Sequence, residues 1–136
     1  MANRYGEAAL MAARQPATAE SSPADRWQSA MEKLYPTSPA ARKKPCPRGA
    51  FLGLCEEGLV CGIPAGAYKA SRFDKAYAVR AVGLLTEGTE HRSISALWRA
   101  VTNGADIQHN SQMDVVLALW NNDLIRGKYQ AGPSAM

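Results

Sequence analysis

The densest set of residues that could do chemistry in this chain is the turn from Gly62 to Lys75. Gly62 and Gly66 permit tight backbone turns, and Lys69, Arg72 and Lys75 bring positive charge. Ser71 opens a helix whose free N–H groups and dipole attract anions. Brought together, these groups would hold a phosphate; apart, they are a capped helix with solvated lysines. A second set is the polar run Gln108-His109-Asn110-Ser111-Gln112, followed by Asp114. It reads either as loop and cap chemistry, with Asn110 or Ser111 accepting from backbone N–H groups, or as a recognition loop. A third arrangement would assemble an enzyme's polar site from Arg80, Glu56, His109, Asn110 and Gln112.

Metal and nucleophile chemistry are poorly served. Cys46, Cys55 and Cys61 are spaced by eight and five residues, with His91 and His109 far off, and this matches no familiar zinc pattern. Cys46, His109 and Asn110 could be drawn into a nucleophile set, but most chains with these residue types allow that. Glu56 and Glu57 are adjacent, so on a helix their carboxylates point about 100° apart. The chain has no phosphate-loop, dinucleotide, zincin or nucleophile-elbow motif. The sequence therefore predicts no metal site, no cofactor and no catalytic signature.

Charge is more informative. Between Lys33 and Arg80 there are nine basic and three acidic residues, a net of +6, in a chain whose total is +4. This stretch includes Arg42, Lys43, Lys44, Arg48, Lys69, Arg72, Lys75 and Arg80 against Glu56, Glu57 and Asp74. A basic face over about residues 42–80 would suit nucleic acid or an acidic protein, and would look the same if merely solvated. The 136 residues fit one domain. No apolar run approaches the length of a membrane span and the start lacks a signal-peptide pattern, so the expectation is a cytoplasmic protein with reduced thiols.

The elements that must position these groups read as helices. Asn3 to Arg14 carries Tyr5, Ala8, Ala9 and Ala12 at helical spacing and stops before Pro16. Ser22-Pro23-Ala24-Asp25 is a cap, a first-turn proline and an acid at the third helical position, opening a helix to Tyr35. Pro36 to Pro47 is a proline-rich basic connection in which Ser38-Pro39 could start one helical turn. A helix from Pro47 to about Glu57 follows. Its Gly49 and Gly53 share a face that another backbone could approach, and Gly58 suits the left-handed residue after its end. Ser71 and Asp74 suggest a capping box for a helix from Arg72 to Thr86, apolar nearly all round and therefore expected to be central, with Arg80 buried and paired. Ser93 caps a short helix ending at Asn103-Gly104, and Asn110 or Ser111 caps a last helix through Asn121. Phe51 to Gly62 and Val116 to Gly127 share a pattern 65 residues apart, an apolar helix ended by a turn residue, an apolar pair and a glycine. Shared helix-ending physics accounts for it.

Pro47 to Val60, Gly62-Ile63-Pro64, Lys75-Ala76-Tyr77-Ala78 and His109 to Val116 resemble a family of small bacterial proteins catalogued only as a domain of unknown function. The likeness runs from Tyr5-Gly6 to about Ile125. It implies a stand-alone cytoplasmic protein and carries no activity, cofactor or catalytic residue.

These readings predict an all-α fold: a compact bundle of about five or six helices around a single core, some pairs fitting a helix-turn-helix. Trp27, Phe51, Leu54, Tyr77, Leu84, Trp98, Val116 and Trp120 are expected inside. Residues 1–136 form one domain, with 36–47 as the connection and 128–136 as a loose tail. The expected function is a binding module using region 42–80. An adaptor or inhibitor of bacterial or phage origin, or an enzyme with a polar site near Arg80 and His109, are the alternatives.

Overall fold

Local signals set most of the helix ends seen in the computed structural model, which describes residues 3–15, 22–88 and 93–126. In α1 (Arg4–Arg14) the Asn3 side chain accepts from the Gly6 N–H, and in α2 (Pro23–Leu34) Ser22 does the same for Asp25. Ser38 caps the one-turn α3 (Pro39–Arg42), so the proline-rich connection is ordered rather than a free arm. Arg42 pins it back, donating to the Tyr35 carbonyl at 2.7 Å and that of Pro36 at 3.1 Å. Helix α4 (Pro45–Glu56) begins two residues earlier than its sequence pattern suggests. Helices α5 (Arg72–Thr86), α6 (Ile94–Val101) and α7 (Gln112–Asn121) complete the all-α fold. The expected tail, 128–136, lies outside the described residues.

The centre is α7, not α5. Met113, Val115, Val116 and Leu119 are fully buried, and α7 packs on α1, α4, α5 and α6. Such all-round burial also removes α7 as a recognition helix for a nucleic-acid groove. Helix α5 instead has a solvent face of Arg72, Phe73, Ala76, Arg80 and Gly83. Apart from Phe73 this face is small or charged, and the helix lies against the core on its other side. Arg80 is thus exposed and donates to Asn103 Oδ1 at 3.1 Å, which corrects the expectation of a buried pair. Tyr77 and Leu84 are half-buried rather than core, whereas Trp27, Phe51, Leu54, Trp98, Val116 and Trp120 are buried as expected.

The two similar stretches do share helix-ending geometry. Gly58 (φ 71°) and Asp123 (φ 60°) are both left-handed. The next residues turn back alike, Leu59 N–H to the Leu54 carbonyl at 3.0 Å and Leu124 N–H to that of Leu119 at 2.9 Å. Tertiary structure then sets the copies face to face. Val60 and Ile125, equivalent positions in the two stretches, form an antiparallel bridge that ties the end of α4 to the end of α7. All three cysteines are free thiols.

Candidate functional site

The turn after α4 does bind an anion, and the anion is the chain's own Glu56. Its Oε2 accepts from the Tyr68 N–H at 2.9 Å and the Ala70 N–H at 3.0 Å, while Oε1 accepts from Lys75 Nζ at 2.9 Å. Lys75 also pairs with Glu57 at 2.9 Å. Burial alone would raise the Glu56 pKa, but the Ala70 and Tyr68 N–H groups and the Lys75 ammonium outweigh it and hold the carboxyl below its ordinary range. The phosphate cradle read from Gly62 to Lys75 is therefore filled. Lys69, left-handed at φ 61°, and Arg72 remain exposed on its outer side.

Three helix N-termini converge on a second acid, Asp74, buried at 6% exposure. Cys46 is the second residue of α4, Asp74 the third of α5 and Gln112 the first of α7. Gln112 Nε2 donates to Asp74 Oδ1 at 3.1 Å. Among the described residues no lysine or arginine pairs with Asp74; the positive ends of the helices face it instead. The expected capping box is absent, because the Ser71 side chain makes no cap and Asp74 turns inward. Burial, and then the Asp74 carboxylate, push the Cys46 thiol above its usual pKa, the opposite of what a nucleophile needs.

His109 supplies the cap expected from Asn110 or Ser111. Its Nε2 accepts from the Met113 N–H at 3.1 Å, while Ser111 is left-handed and caps nothing. The Asn110 N–H donates to Gln112 Oε1 at 2.7 Å. With Nε2 an acceptor the neutral ring carries its proton on Nδ1, so His109 is a structural group rather than a free base. Burial lowers its pKa below the ordinary 6.5, Asp114 opposing and Lys44 adding. Since the unfolded chain takes up this proton first, the stability from neutral His109 is complete above pH 6.5 and declines as pH falls through 6.5 toward the folded value. Urea midpoints measured across this range should fall for the wild type and stay flatter for His109→Asn.

The polar-site residues are thus divided among three separate places. His109, Asn110 and Gln112 serve the start of α7, Glu56 serves the turn, and Arg80 lies on the α5 surface. None of the described His, Cys, Asp and Glu residues cluster as a metal site.

The basic residues sort equally clearly. Arg42 and Lys75 are engaged by carbonyls and carboxylates, and Lys44 Nζ sits 5.5 Å from the Tyr5 ring centre. Lys43, Lys69, Arg72 and Arg80 are exposed, and Arg48 half-exposed. Gly49 brings the start of α4 against α5: a Cβ built there would lie 2.9 Å from Asp74 and 3.1 Å from Ser71. The starts of α4 and α5 therefore lie against each other. Beside them, Glu57, Arg72, Lys75, Ala76, Val79 and Arg80 line an open groove of about 650 Å³. Sequence reasoning missed Phe73, the neighbour of Arg72, 65% exposed with the Arg72 guanidinium 5.4 Å from its ring centre. The available signal was an aromatic beside an arginine within the basic stretch.

No helix among the described residues is long and apolar enough to cross a membrane. A family model described as Family of unknown function (DUF6979) matches residues 2–126. No curated protein and no solved structure matches the chain.

Proposed function

The chain belongs to this family of unknown function, and, since membership brings no activity, we propose that it is a nucleic-acid-binding module whose contact surface lies at the starts of α4 and α5. One observation carries the reading. Two of the three acidic residues of the basic stretch are withdrawn from display, Asp74 by burial and Glu56 at 13% exposure inside the turn, while the third, Glu57, is exposed at the groove but paired with Lys75. Lys43, Lys69, Arg72 and Arg80 are exposed and Lys44 and Arg48 partly so, which leaves an excess of positive charge that suits a phosphate backbone.

Fluorescence anisotropy with labelled oligonucleotides over a series of salt concentrations tests this. Each phosphate that a variant no longer neutralises should flatten the slope of log affinity against log salt by about 0.7 for single strands and 0.9 for duplex. Lys43→Ala, Arg48→Ala and Arg72→Ala should each show that change. Arg42→Ala should not, because its guanidinium is already held by backbone carbonyls. Equal slopes for all four variants would defeat the reading, as would tighter binding to polyglutamate than to any oligonucleotide.

A further inference from the structure

Phe73 and Arg80 lie seven residues apart on α5, two helical turns along one exposed face. A single exposed apolar side chain needs no explanation. Phe73 differs because three features meet at it: its ring is 65% exposed, the Arg72 guanidinium sits 5.4 Å from the ring centre, and that same Arg72 lines a groove that reaches Arg80. Ala76 and Val79 give that groove a small apolar lining, Arg72 and Arg80 bring positive charge to it, and the paired Glu57 and Lys75 complete it. The carboxylates of an acidic peptide would satisfy the arginines but offer the ring no stacking surface. Duplex DNA offers phosphates, but its base faces are covered by their neighbours. A single strand offers both together, an anionic backbone and an uncovered base face.

Resting on the nucleic-acid reading, we propose that this face of α5 binds single strands, with one base stacked on Phe73 and the flanking phosphates held by Lys69, Arg72 and Arg80. Arg72 steadies the ring from one side while the base takes exposed ring surface. Stacking on an aromatic is indifferent to base identity, so binding is tolerant of sequence.

Anisotropy at low salt with a labelled oligothymidylate, the same strand carrying abasic positions, and an oligo(dA)·oligo(dT) duplex provides the test. Phe73→Leu should weaken oligothymidylate binding about tenfold, the size of one stacked base, with an unchanged salt slope. Phe73→Trp should retain affinity and show indole quenching on binding. Abasic positions should weaken binding to the wild type and leave Phe73→Leu nearly unaffected. Since Phe73 is exposed, an unchanged urea midpoint will show that both variants fold. If Phe73→Leu binds as the wild type does, or duplex binds as tightly as single strand, stacking is overturned while the nucleic-acid reading stands. If the wild type binds no oligonucleotide at low salt, both fall.

Discussion

Gly53→Ala is expected to cost about 3 kcal/mol, although alanine is the better helix former by about 1 kcal/mol. A Cβ at this position would lie 2.6 Å from the Lys75 Cα, and backbone cannot rotate away as a side-chain tip can. The neighbouring close approach at Gly49 leaves α5 no easy direction in which to retreat. Separation of α4 from α5 would also pull Lys75 from Glu56 and Glu57, so packing and electrostatics fail together. Gly83 is the control. It lies on the exposed face of α5 with nothing within 4 Å of a built Cβ, so Gly83→Ala should stabilise by about 0.5 to 1 kcal/mol. Urea unfolding of the two variants beside the wild type decides it; a neutral Gly53→Ala would show that the two helices are not held at this distance in solution.

Glu56→Ala is expected to destabilise by about 2 to 3 kcal/mol, because it leaves the Tyr68 and Ala70 N–H groups without their shared acceptor and removes one of the two carboxylates on Lys75. The effect carries a pH signature. Glu56 has a folded pKa below its ordinary 4.5, so its contribution is present above pH 4.5 and is lost as pH falls through the folded value. The gap between wild type and Glu56→Ala in urea midpoint should therefore be wide at neutral pH and narrow in acid. A gap independent of pH would mean that Glu56 acts through packing alone. Freed of its carboxylate, the turn should also gain affinity for inorganic phosphate, since Tyr68 and Ala70 N–H and Lys75 would face an empty position.

The turn shows where a local pattern reaches its limit. Gly62, Gly66, Lys69, Ser71 and Lys75 announce a place for an anion, and the backbone does present N–H groups to one. That the anion is Glu56 depends on α4 ending where α5 begins to pack against it, which joins residues 12 to 19 positions apart. The same holds for Ser71 and Asp74, whose spacing suits a capping box. Asp74 is drawn instead into the junction of three helices by Gln112, 38 positions away.

Features that neighbours along the chain can settle were legible before any fold was known. The caps Ser22, Ser38 and Ser93, the prolines that open α2 and α3, and the left-handed Gly58 act within a few residues of themselves, and so they announce helix number, most helix ends and the all-α class. Gly49 and Gly53 even marked the face that another backbone would meet, without saying that it belonged to α5. Which apolar helix became the centre was a matter for packing between helices. α5 and α7 carry similar runs of hydrophobic residues, but α7 is enclosed by four helices while α5 is packed on one side only, which leaves Arg80 and Phe73 in solvent. Hydrophobicity states that a residue gains by burial; only the arrangement of the other helices determines which residues find a place inside, and so which charges and which aromatic ring are left outside to meet a partner.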